Sequence, residues 1–160
     1  MKPIVNQVIA EPFQPLLHSF PFEPVVQAVL AQQGINKQVE LSIVIDDDDY
    51  LRQLNLDYRG IDASTDVLSF PSNELDPDSN AEYIGDIIIS YPTALRQAEN
   101  SGHHVNNEIT LLITHGVLHL LGYDHATPDE KDRMWKAQSE ILKSLSCDLG
   151  RVPGEEADLG

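Results

Sequence analysis

Apolar and polar positions alternate over 39–45: Val39, Leu41, Ile43 and Ile45 are separated by polar neighbours, apart from Val44. That period of two predicts a strand with one buried face. A β-branched run over 4–9 predicts a strand before it. The runs 66–70 and 85–91 predict two more, the first stopped by Pro71. Helical spacing takes over elsewhere. Pro24 suits a first helical turn, and 25–33 follows as a helix ended by Gly34. The acidic run 46–49 reads as a helix start matched to the helix dipole, with the helix running to about Tyr58. Pro92 opens another helix through about Asn100, closed near Gly102. Thr127-Pro128-Asp129-Glu130 is a capping box opening a last helix, with Met134, Trp135, Ile141, Leu142 and Leu145 on its core side. The proline-rich segment 11–24 reads as a connector, and the acidic segment 72–82 as a surface loop. About four strands and about five helices predict an α/β or α+β domain around a mixed central sheet. The domain is expected over 1–147, followed by an acidic, mobile tail over 148–160.

The segment 106–121 breaks the amphipathic rule. Ile109, Leu111, Leu112, Ile113, Val117, Leu118, Leu120 and Leu121 make it apolar nearly all round, so this helix is expected to be buried against the sheet. It nevertheless carries His115 and His119. Four residues apart on a helix, they share one face about one turn, ~6 Å, apart. Gly122 follows as a helix stop, and the turn it permits brings His125 back toward the pair. Three neutral imidazoles with an open fourth position are the ligand set of a catalytic zinc. A metal would also hold neutral two rings whose charged forms would be costly to bury. Glu108 lies on the same stripe two turns earlier. It is read first as a match to the helix dipole, and second as an outer-sphere or wall residue.

The spacing H-x-x-x-H-x-x-G-x-x-H is also that of metzincin proteases. Those carry a glutamate after the first histidine, where this chain has Gly116, and no Met-turn is evident. The acidic run 46–49 lacks the alternating ligands, glycine and distant glutamate of a calcium loop.

Composition narrows the picture. With 160 residues the length fits one domain. The net charge of -16 argues against membrane surfaces and indiscriminate nucleic-acid binding. The single cysteine, Cys147, precludes an intramolecular disulfide and fits a reducing cytoplasm. No signal-peptide pattern or membrane-length apolar run is seen, so a cytoplasmic location is expected.

Two further stretches join the histidine motif: Asn55-Leu-Asp-Tyr58-Arg59-Gly60-Ile-Asp62-Ala-Ser-Thr65-Asp66-Val67-Leu68-Ser69-Phe70-Pro71, and Ile84-Gly85-Asp86-Ile87. In this order the three strongly resemble the YbeY family of bacterial endoribonucleases. The resemblance implies one zinc ion held by His115, His119 and His125, and a functional role for Arg59. It also implies cleavage of single-stranded RNA, maturation of the 16S rRNA 3′ end, ribosome quality control, and partners among the ribosome or small-subunit assembly factors. Without the resemblance, Arg59 would be read as a surface ion pair.

Asp86 and Asp124 are the candidate general bases, with Glu108 a more distant possibility. Attack by the RNA 2′-hydroxyl would leave a cyclic phosphate, and attack by water would not. Because the body is acidic, RNA should meet a local positive groove drawn from Arg52, Arg59, Arg96, Lys131, Arg133, Lys136 and Lys143. Two other classes share parts of the pattern: a metzincin-like metalloprotease, and a non-catalytic ribosome-assembly factor with a structural zinc.

Overall fold

The structure, a computed structural model, describes residues 2–75, 77–78 and 80–147. The expected tail over 148–160 lies outside the described residues. The chain runs β1 (Ile4–Ile9), a 3-10 turn (Glu11–Phe13), α1 (Gln14–Leu17), α2 (Phe22–Gln32), β2 (Val39–Asp46), α3 (Asp48–Arg59), β3 (Val67–Leu75), β4 (Glu82–Ser90), α4 (Tyr91–Ser101), α5 (Val105–Leu120) and α6 (Pro128–Ser144). The strands form one mixed sheet in the order β1-β2-β4-β3. β1, β2 and β4 are parallel, and β3 runs antiparallel along β4 at the sheet's edge.

Alternation along the strands divides the core. Leu41, Ile43 and Ile45 of β2 and Ile87 and Ile89 of β4 join the large cluster that contains α5, α2 and α6 residues. The intervening Ile88 turns to the opposite face, against Leu51 of α3 and Leu68 of β3. Helix α5 is buried along almost its whole length, as its all-round apolar sequence requires.

The capping chemistry follows the sequence. Asp47 accepts from Tyr50 N–H at the start of α3 at 2.9 Å, and Thr127 accepts from Glu130 N–H at the start of α6 at 3.2 Å. Cys147 is buried just beyond α6, consistent with a small helix-end hydrophobe.

Three expectations change. Trp135, expected on the core side of α6, is exposed, because one step on from buried Met134 it falls off the stripe of Ala137, Gln138 and Ile141. The connector over 11–24 contains a 3-10 turn and the short helix α1, and α2 begins at Phe22. Phe22 and Leu17 are buried, so docking against the core orders a segment whose prolines suggested none. Nor does Pro71 stop its strand: β3 continues to Leu75 through a register shift between Pro71 and Glu74. Ser90 N–H donates to Asp66 O at 2.9 Å. Antiparallel alternation from that bond points the backbone groups of Val67, Ser69 and Pro71 away from β4. The missing N–H of Pro71 therefore falls on the open edge, where it breaks no ladder bond.

Gly85 is fixed by backbone and by space. Its φ is +139°, and a Cβ there would stand 2.3 Å from Phe70 O. Gly85→Ala is expected to destabilise the fold by about 2–4 kcal/mol. Gly34→Ala, at φ +69° with open space around it, should cost only about 1–2 kcal/mol. Denaturant titration of the two variants checks the ranking.

Candidate metal centre and cleft

Helix α5 ends in a Schellman turn: Tyr123 N–H reaches Leu118 O and Gly122 N–H reaches His119 O, each at 3.0 Å. Gly122 supplies the positive φ, +107°. Tyr123 packs on the main core, and the Asp124 carboxylate accepts from His125 N–H at 2.7 Å, fixing the loop. These contacts bring His125 to the two helix histidines. One ligand nitrogen from each of His115, His119 and His125 lies within 4.8 Å of the others. Among the described residues no fourth His, Cys, Asp or Glu joins the group.

The donor set fits a metal ion for a specific reason. His115 is buried, and its pKa is pushed well below 6.5 by loss of solvent first, then by His119 and His125. Burial also lowers the pKa of His119, with His125 adding to the effect. Both rings are thus neutral near pH 7, each with one N–H. His115 Nδ1 lies 3.2 Å from Gln138 Oε1 of α6, and His119 bonds to the Tyr123 backbone. With Nδ1–H given to Gln138, His115 turns a bare Nε2 toward His119 Nε2, 3.1 Å away. Either His119 donates to that lone pair, or both rings turn bare nitrogens toward one point, where a cation can take both. The trio can hold a metal ion on this ground.

A cavity of about 600 Å³ opens over the histidines. His115 and His119 line it with Arg59 and Tyr58 from the end of α3, with 65–71 leading into and along β3, and with the 122–124 turn. Gly60, at φ +72°, closes α3 just after Arg59. Buried Asn55 donates to Ala63 O at 2.8 Å and draws the following loop back beneath it. A second hollow of about 330 Å³ shares Gly122, Tyr123 and Asp124 with the first and is walled by Glu130 and Arg133.

The candidate bases separate. Asp124 lines both hollows. Asp86 does not join them: it pairs with Ser42 across the sheet, on the face opposite Ile87, and is held by Tyr83 OH. Tyr83 in turn bonds Ser42 Oγ at 2.6 Å, and its own pKa is pushed up to about 12, by burial first and then by Asp86. Glu108 is fully buried near the opposite end of α5, with His103 Nε2 at 2.8 Å, so it is neither a cleft wall nor merely a dipole match. The expected positive groove also shrinks. Arg52 is taken by Asp62 at 2.6 Å and Arg96 by Asp48 at 2.9 Å, whereas Arg59 and Arg133 line the hollows.

Sequence reading did not single out Gln138; Asn55, Thr65 and Asp66 stood in the quoted motif with no part in the site's chemistry, and Thr65 and Asp66 are buried at the cavity wall. Gln138 had one available signal: it sits at helical spacing from Met134 and Ile141, on the buried stripe of α6. The absence of glutamate at position 116 has a packing cause. A Cβ on Gly116 would stand 2.9 Å from Ile87 Cγ2, so the helix has no room there for the protease base.

Two outcomes follow from this geometry. Gln138→Leu should keep one metal site but weaken metal affinity by about 10–100-fold, read by competition with a chromogenic chelator. The second concerns acid. The unfolded chain protonates its histidines near 6.5 while folded His115 stays neutral, so below that pH the unfolded state binds more protons. The metal-free protein should therefore lose stability as pH falls from about 7.5 to about 5.5, and equal denaturation midpoints at the two pH values would contradict a neutral buried His115.

A model of the family described as Endoribonuclease YbeY matches residues 17–146. A protein named endoribonuclease YbeY from Desulforamulus reducens is 46% identical over 127 residues, covering 77% of this chain and 83% of that protein. Its namesake from Moorella thermoacetica is 46% identical over 128 residues, covering 76% and 82%. The solution structure of a Thermotoga maritima protein shares the fold, with a TM-score of 0.55 at 23% identity over 89% of this chain and 92% of that one. With its family match covering β2, β3 and β4, the buried helix and the histidine turn, the chain belongs to the YbeY endoribonuclease family.

Proposed function

We propose that this protein is a zinc-dependent endoribonuclease that cuts single-stranded RNA in the cytoplasm, acting in 16S rRNA 3′-end maturation and ribosome quality control. The observation that carries this reading is one cavity lined by both helix histidines and by Arg59. A phosphodiester needs its oxygens steadied and its nucleophile activated, and this cleft offers groups for both tasks. His115, His119 and His125 would hold the zinc. The chemistry zinc supplies in such a cradle is polarisation of a phosphoryl oxygen and acidification of water.

Arg59 presents a planar fork that pairs with phosphate through two parallel hydrogen bonds and keeps its charge at all working pH values. Its place at the cavity wall lets it oppose the charge that builds on the phosphoryl group. Asp124 is the proton acceptor we favour among the three carboxylates first considered, because Asp86 and Glu108 stand apart from the cavity. Gln138 orients His115 and takes no part in the chemistry itself.

RNA reaches this cleft against a net charge of -16. Arg59 and Arg133 supply local attraction along the joined hollows, so binding to free RNA should be weak and salt-sensitive. RNA presented by the ribosome or by a small-subunit assembly factor is the favoured substrate. Among the described residues no helix is long and apolar enough to cross a membrane. The catalytic domain is taken to be 1–147.

Cleavage of a defined 16S rRNA precursor should stop with a chelator and return with zinc, and mapping the ends will identify the nucleophile. Arg59→Glu should retain one equivalent of zinc but lose at least about 100-fold in cleavage rate. Cleavage by that variant at the wild-type rate would remove Arg59 from the mechanism. His119→Ala should lose both zinc and cleavage.

A further inference from the structure

Tyr58 is the most solvent-exposed large apolar side chain among the described residues, at 70%. It is nonetheless fixed in place. Its ring meets Phe70 of β3 edge-on, with centroids 5.3 Å apart and planes inclined at 61°. An edge contact of this kind orients an aromatic ring while leaving a face uncovered. Both rings line the cavity over the histidines, and Pro71 continues that wall. Tyr58 is also the immediate neighbour of Arg59, on the last turn of α3.

The wall therefore places a ring with an open face beside a guanidinium, in the cavity that His115 and His119 line. Unpaired nucleotides are held by that combination: a cation takes the phosphate, and an aromatic face takes the base. A base in a duplex is already stacked and cannot use the face. We infer that Tyr58 is a stacking platform for the unpaired base next to the phosphate held by Arg59, making the cleft selective for single-stranded RNA. This inference rests on the ribonuclease reading above. Stacking is insensitive to base identity, so the site selects for an unstacked strand and not for a sequence.

The competing account is that Tyr58 only covers Phe70 and the small core cluster behind it. A series of single-stranded RNA oligonucleotides separates the two. Each carries one abasic nucleotide, at successive positions on either side of the mapped cut. With wild-type protein, one position next to the cut should raise KM by about 5- to 150-fold, the range for loss of one stacked base. Tyr58→Ala should raise KM on intact RNA by a similar factor and show no further loss at that position. Tyr58→Trp should restore wild-type KM. Abasic penalties that are the same in wild type and Tyr58→Ala at every position would overturn the inference, as would an unchanged KM in Tyr58→Ala.

If the wild-type protein leaves both the intact oligonucleotide and ribosome-presented RNA whole, the ribonuclease reading falls. The same series read by fluorescence anisotropy still decides whether Tyr58 stacks a base: coupled losses support it, and additive losses refute it.

Discussion

Helix α5 lies so close to β4 that a single methyl group on Gly116 would stand 2.9 Å from Ile87 Cγ2. The rest of the site depends on that approach. It seats a largely apolar helix on the sheet, with His115 buried and His119 one turn further toward solvent. It sets the height of both rings relative to the edge strand β3, and so the depth of the cavity between them. Gly85 repeats the device one layer over: there a Cβ would meet Phe70 O at 2.3 Å and Leu120 Cδ2 at 2.8 Å. Two glycines thus let a helix, a central strand and an edge strand come together where side chains would hold them apart.

Burial then does chemical work. Removing His115 from water keeps its ring neutral, and Gln138 settles which nitrogen faces the cleft. The same removal leaves two ring nitrogens 3.1 Å apart in the uncharged form that a metal ion can bind. Packing and ligand chemistry are therefore linked here: the core that excludes water also keeps the rings in the state a metal ion can bind. The surface follows another rule. Most of the charge is acidic, and carboxylates pair with Arg52 and Arg96, neither of which lines the two hollows. Arg59 and Arg133 put positive charge at the two hollows, over a small part of an otherwise acidic protein.

Much of this was legible in the chain. The alternation of β2, the all-round apolarity of α5 and the histidine–glycine–histidine spacing each reflect a local period or a local backbone requirement. Capping residues placed the starts of α3 and α6 for the same reason. Errors arose where a distant contact outweighed a local preference. Prolines in 11–24 suggested irregular chain, but burial of Leu17 and Phe22 ordered it. Pro71 suggested a strand end, but on an open edge its missing N–H has no partner to lose.

By itself the sequence determined most of the strands and long helices, the buried helix and the three imidazoles, because helix pitch and glycine's backbone freedom act within a few residues. Only the tertiary structure decided which other groups share the cleft. Whether Asp86 faces the histidines turns on strand parity and sheet order, which set it on the far face. Whether Glu108 reaches them turns on the burial of the first turns of α5, which pairs it with His103 instead. Gln138 and His115 are 23 residues apart in the chain, and meet because α6 packs back across α5. Contacts of that span carry no local period to read, since they exist only once the layers have closed on a common core.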